Sequence, residues 1–442
     1  MIKLEELLEL LSIKSVYDET TITASEPYGK GIAKALAFMR DLALKHGMHV
    51  EDYDGHALAI CYGDQDERID LVSHLDVVSA EDWEEDPFTP RIIDGNIIAR
   101  GTQDMKSAAY LTLKALIEIK EKKLPLKRQV RVVLGTDEER TMEDIVHYVK
   151  KAGQPKFAFT PDGAFPLSIG EKGALMWHIQ GQIESPIVEM KGGTQCNVIA
   201  PHCSFTVPYA FKGLIHQTTE ALGFKLVCVE DQELLHYTFT GVAGHASRPE
   251  SGHNAIVDAL QVLALCFPKA GFKKLYETFA SPYAKETNLA YDIAPMGPLT
   301  LNLGVCSIQE GVFEADVDCR YPYGVTSEEL TQLLRQNLPG FNVSLPYDAI
   351  PFLNDIQSPF IQTCLRHYRA TFIDDRDPFI SGGVTYGKVI QPCIAFGPLL
   401  PGRISLAHQK NESIAIEDLE LLYPFYRDVL IKLANCEEET YA

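Results

Sequence analysis

No two cysteines in this chain are spaced as CxxC, although ten are scattered from Cys61 to Cys436. That absence argues against a zinc ribbon and against a disulfide framework. It leaves free thiols of the kind a reducing cytoplasm maintains. Positive charge is also scarce: 40 Lys and Arg stand against 61 Asp and Glu, for a formal net charge of -21. Such a surface repels phosphate backbones and anionic headgroups, so neither nucleic acid nor a membrane surface is an expected partner. Nowhere does an apolar run reach the roughly 18 residues that a membrane helix requires. The opening MIKLEELLELLSIKSV sets Leu4, Leu7, Leu8 and Leu11 at helical spacing among glutamates. It has neither the basic region nor the small-residue cleavage site of a secretory signal. A cytoplasmic location is expected. Internal repeats and low-complexity tracts are absent as well.

What remains is a globular composition, 46% hydrophobic and 23% charged, in 442 residues. That is too long for one ordinary core, so more than one domain is expected. Residues 27–47 read as an amphipathic helix, 57–62, 69–72 and 130–134 as buried strands, and 107–121 as a helix between the last two. This order predicts an α/β domain with a mixed, mostly parallel sheet and helices on both faces. Beyond residue 174 the texture loosens. Strand patterns at 175–181, 225–230, 237–241 and 299–320 are interrupted by helical ones at 209–222, 254–265 and 327–337. From residue 377 the sheet texture returns, with a short strand at 394–396 and a closing helix at 417–433. The expected organisation is a catalytic domain from 1–173 and 377–442, with 174–376 inserted as an α+β lid.

Several short segments carry metal-binding side chains where apolar strands end, the edge at which open α/β sheets build sites. DLVSHLDVV delivers His74 and, two residues on, Asp76, a carboxylate able to hold the other ring nitrogen of a ligating histidine. RGTQDMKS places Asp104 just before a helix. VVLGTDEER leaves Asp137, Glu138 and Glu139 crowded in one loop, which is costly without cations to neutralise them. FAFTPDGAFP carries Asp162 in a Pro-Asp-Gly turn, and ISLAHQKNES offers His408. Each has a plain structural explanation when taken alone: a core histidine, an N-cap, an acidic loop, a turn. Together they supply two histidines and three carboxylates, a donor set suited to Zn²⁺, Mn²⁺ or Co²⁺. One glutamate is left over to act as a base.

In this order the motifs resemble those of the M20 family of metallopeptidases, and within it the PepV-like dipeptidase branch. SHLDVV, the long DWEEDPFTPRIIDGNIIARGTQDMK, GTDEE, TPDGAFP and AHQKNE follow one another through nearly the whole chain. The resemblance implies two divalent cations, Zn²⁺ before Mn²⁺ or Co²⁺, bridged by Asp104. His74 and Asp162 complete one, Glu139 and His408 the other. It makes Glu138 the general base and Asp76 the residue that orients His74, and it implies a cis peptide between Asp104 and Met105. In the middle segment, GGTQCNVIAP, GHASRPESGHNA and VDCRYPYG resemble motifs that give Asn197 a substrate contact, His245 the scissile carbonyl and Arg320 the substrate carboxylate. Gly382 and Gly383 of SGGVTYGK resemble a loop lining the substrate site. The long middle segment resembles that of monomeric members, so His245 is expected to act within its own chain. The implied activity is hydrolysis of dipeptides. The competing readings are an amide deacylase of N-acyl amino acids and a noncatalytic peptide or amino-acid binder.

Overall fold

A computed structural model describes residues 2–81 and 83–437; Asp82, the first residue of the long segment quoted above, lies outside them. The chain divides into two compact units. The first comprises the chain up to Gly170, Leu353–Phe379 and the chain from Thr385, and the second Glu171–Phe352 with Ile380–Val384.

The first unit is built on a mixed sheet. Its central strands Gln129–Gly135, Arg68–His74, Phe157–Thr160 and Cys393–Ala395 run parallel, in that order across the sheet. Ala57–Tyr62 and then His49–Tyr53 continue it on one side as antiparallel strands, a direction the sequence pattern did not indicate. The central strands are nearly continuous Val, Ile, Leu and Phe because both faces are covered. Helix Lys106–Glu121 is buried on almost every side. It is packed against the strands and against the closing helix Ile416–Ala434. A helix so enclosed cannot show a strong amphipathic period, and its Ala108, Ala109 and Ala115 permit the close approach.

Two helices of this unit were not legible in the sequence. Glu143–Ala152 buries only Asp144, Ile145 and Tyr148. Pro359–Phe372 shifts a boundary: the catalytic half expected to resume at 377 resumes at Leu353. The reason is aromatic packing, since Phe360 stacks on Phe157 at 5.1 Å and Tyr368 on Phe165 at 5.1 Å.

The second unit is an eight-stranded sheet in which every pairing is antiparallel. Burial alternates along Leu234–Thr240 and most of Val312–Tyr321, as expected where helices cover one face. Trp177, Phe205, Tyr237, Leu260 and Leu263 lie in its core. The stretch read as continuous β texture over 299–320 is a hairpin, Thr300–Gln309 with Val312–Tyr321. It turns through Glu310 at φ 50° and Gly311 at φ 77°, the paired left-handed conformation whose twist suits a two-residue hairpin loop. All ten cysteines are free. Among the described residues, no helix is long and apolar enough to cross a membrane.

Candidate metal centre

Parallel pairing puts the carboxyl ends of the central strands on one edge. His74 ends its strand in register with Gly135, and the loop after Gly135 carries Glu138 and Glu139. Asp162 follows the end of the next strand by two residues, and Asp104 precedes helix Lys106–Glu121. The Asp104–Met105 peptide is cis.

Asp104 sits between the two histidines. Its Oδ1 lies 2.9 Å from His74 Nε2 and its Oδ2 lies 3.0 Å from His408 Nε2. His74 Nε2 is also 3.8 Å from Asp162 Oδ2, while His408 Nε2 is 3.0 Å from Glu139 Oε2. Ligand atoms of His74, Asp104 and Asp162 fall within 4.8 Å of one another, as do those of Asp104, Glu139 and His408. The donor set therefore fits a pair of cations sharing one carboxylate. Glu138 reaches to 4.0 Å of His74 Nε2, and its other oxygen is buried with no hydrogen-bond partner.

The electrostatics express the same crowding. Burial, and then the charge of Asp162, push Glu138 well above the usual carboxylate range. Burial and Asp104 raise Glu139. Burial alone would lower His408, but hydrogen bonds to Asp104 and Glu139 outweigh it and lift the imidazole to about 11. Burial opposes the charge on Asp104 too, yet its bonds to His408 and His74 hold it well below the ordinary value. The cluster favours positive charge wherever it can gather it.

The tautomer of His74 follows from its partner. Nδ1 lies 2.9 Å from the Asp76 backbone oxygen, which can only accept, so Nδ1 carries a hydrogen, and a cation bound between Nε2 and Asp104 would meet the Nε2 lone pair. Asp76 thus orients His74 through its carbonyl rather than by a carboxylate hydrogen bond, Oδ1 being 3.5 Å away. Its Oδ2 instead accepts the Glu139 N–H at 3.0 Å, tying two ligand-bearing loops together. Tyr386 packs edge-on to the His74 ring, with centroids 6.3 Å apart. Its hydroxyl donates to Asp144, which also accepts the N–H groups of Thr136 and Asp137.

Glu412 was not singled out in the sequence, although it closes the AHQKNE motif. It is fully buried, receives Arg100 Nη1 at 2.8 Å, and accepts the N–H groups of Gly101, Gln103 and Asp104. Gln103 ties the same loop to the one bearing His408: it accepts from Leu406 N at 2.8 Å and donates to Ser413 O at 2.9 Å. His408 itself sits at φ 63°, a left-handed conformation that an L-residue adopts only where its surroundings fix it. Glu412→Ala leaves the Arg100 charge buried and unpaired, and is expected to cost about 3–5 kcal/mol of folding stability. Denaturant unfolding checks this, and a parent-like midpoint contradicts it.

The remaining candidate residues all belong to the second unit. Asn197 and His245 are exposed, on paired segments in which Asn197 O accepts the Ala246 N–H at 2.9 Å. Arg320 is buried and already held: Nε and Nη2 grip Asp318 at 2.9 and 2.6 Å, and Nη1 donates to Gly382 O at 3.0 Å. Gly383 donates its N–H to Ser381 Oγ at 2.9 Å.

This arrangement has counterparts in known proteins. The model of Peptidase family M20/M25/M40 matches residues 71–432. The chain belongs to that family. A Bacillus subtilis (strain 168) relative named "Putative dipeptidase YtjP" is 30% identical over 97% of this chain and 96% of its own. A Staphylococcus epidermidis relative with the same descriptor is 30% identical over 99% and 97%. The solved structure of human carnosine dipeptidase 1 superposes with a TM-score of 0.60 at 12% identity, over 98% of this chain and 95% of that one. Dug1p, a dipeptidase from Saccharomyces cerevisiae, gives 0.59 at 14%, over 98% and 95%. At such identities these structures attest the α/β fold with its second domain. As a family member the chain is a metal-dependent peptidase.

Proposed function

We propose that this M20 member is a dipeptidase in which a pair of divalent cations, Zn²⁺ before Mn²⁺ or Co²⁺, shares Asp104. The observation that carries the reading is the division of the Asp104 carboxylate, one oxygen toward His74 and the other toward His408. Relatives covering nearly the whole chain and named as dipeptidases support the substrate class. His74, Asp104 and Asp162 on one side and Asp104, Glu139 and His408 on the other would hold the cations, which would supply Lewis acidity to acidify water and polarise a carbonyl.

The rest of the chemistry falls to the chain. Glu138 takes a proton from the attacking water and returns it to the leaving amine nitrogen as the C–N bond breaks, a role its position beside His74 suits. Asp76 keeps His74 in its ligating tautomer. In the second unit, His245 donates to the oxygen that gains charge, Arg320 holds the substrate carboxylate, and Asn197, Gly382 and Gly383 line the substrate. One chain carries all of these residues, and the working form is a monomer in the cytoplasm.

Metal-free protein resupplied with Zn²⁺, Mn²⁺ or Co²⁺ and offered dipeptides beside N-acyl amino acids tests the reading. Free amino acids should be released from the dipeptides alone, and chelator should abolish the release. Turnover confined to acylated amino acids makes the protein a deacylase instead. Binding without turnover under every cation makes it a binder.

A further inference from the structure

We infer that Ser247 and Gly382 are positioning residues that hold His245 in the tautomer with its proton on Nε2, so that the ring meets substrate as a hydrogen-bond donor. The proposal rests on the role given above to His245 and names what fixes it.

His245 Nδ1 lies 3.1 Å from the backbone N of Ser247 and 2.7 Å from its Oγ. A backbone N–H can only donate, so Nδ1 is the acceptor and a neutral ring must carry its hydrogen on Nε2. The Ser247 hydroxyl, free to rotate, donates to the same lone pair. A proton on Nδ1 would instead face the N–H of Ser247 and lose that bond. His74 is the opposite case: its Nδ1 donates to a carbonyl oxygen, so that a bound cation would meet the lone pair of Nε2. Opposite backbone partners thus make one histidine a ligand and the other a donor.

The geometry around Ser247 is tight. A turn closed by Arg248 N–H to His245 O, at 2.9 Å, brings the Ser247 N–H to Nδ1 of the ring. The paired segment fixes the turn from behind, with Ile199 N–H on Gly244 O at 2.8 Å and Ala246 N–H on Asn197 O at 2.9 Å. Gly382 backs directly onto Ser247: a Cβ there would lie 2.7 Å from Ser247 Cβ and 3.0 Å from its Oγ. The nearer of these atoms is the root of the side chain and cannot swing aside, so any residue but glycine must displace the turn. The carbonyl of the same Gly382 accepts from Arg320, the proposed carboxylate grip. One short loop therefore touches the holder of the donor histidine and the holder of the substrate's charged end.

The test uses the full chain with ¹⁵N-labelled histidine, free of metal, with the His245 ring assigned through His245→Gln. In the parent, Nδ1 should give a pyridine-like signal and Nε2 a pyrrole-like one. Ser247→Ala, which loses the hydroxyl but keeps the backbone N–H, should move both part-way toward the averaged values of mixed tautomers. In the zinc-loaded enzyme it should lower kcat about tenfold, the worth of one hydrogen bond, with KM nearly constant. Gly382→Ala should give the same ring signature and also raise KM, because it shifts the Arg320 acceptor. A parent ring protonated on Nδ1 overturns the proposal even if no variant folds. So does a Ser247→Ala protein with unchanged ring signals and unchanged kcat. Full turnover in His245→Gln overturns the catalytic reading instead, and the ring spectra tell the two failures apart.

Discussion

Glu138→Gln is expected to lower kcat by about 10²–10⁴-fold, the usual worth of a positioned general base, while KM and bound metal stay at parent levels. Glutamine keeps the shape of the side chain and removes its basicity. None of the ligand atoms is touched, because Glu138 belongs to neither ligand group. A second readout follows from electrostatics. Burial and Asp162 raise the Glu138 carboxyl well above its ordinary range, so the folded state holds that proton more tightly than the unfolded chain. The folded state then binds more protons, and stability falls as pH rises beyond the ordinary glutamate range. The neutral amide escapes this penalty. Metal-free Glu138→Gln should therefore unfold at a denaturant midpoint equal to or above that of the metal-free parent at neutral pH, while being nearly inactive. Steady-state kinetics beside metal analysis decides the first part. Parent-like kcat in a metal-replete variant would remove Glu138 from the mechanism.

Asp104→Asn should do more. It withdraws the one carboxylate common to both candidate ligand groups, so both of the proposed cations would lose an anionic ligand together. Several kcal/mol of transition-state stabilisation go with them, or about 10³-fold or more in kcat/KM. The stability response to metal should vanish as well. A cation at a hundred times its dissociation constant stabilises a fold by about 2.7 kcal/mol, so Zn²⁺ should raise the parent's Tm and leave the variant's almost unmoved. Calorimetric scans with and without Zn²⁺ measure this. A variant that still retains both cations after dialysis contradicts the shared-carboxylate reading.

Much of the site was legible in the linear chain because its ligands cluster at strand ends. His74 and Asp162 each follow an unmistakable apolar run, and Glu138 and Glu139 stand in an acidic loop that calls for cations. The buried strand Ala57–Tyr62 and the helix Ser327–Asn337 were readable to the residue, one from continuous hydrophobicity and the other from its period. Less legible were elements whose pattern is set by distant partners. Helix Pro359–Phe372 owes its place to Phe157 and Phe165, far upstream, and its own sequence shows only that Phe360 and Tyr368 need covering.

Chain order and side-chain type therefore sufficed for the family and the α/β class, and they named the candidate donors, since hydrophobic periodicity and ligand chemistry are local properties. How those donors are held is not local. Glu412 gathers the loop that carries Asp104 from 308 residues away, and Asp76 turns out to orient His74 by its backbone while its carboxylate braces Glu139. A hydrogen bond has a direction and a partner. Neither exists until the fold has brought the two groups within about 3 Å of each other.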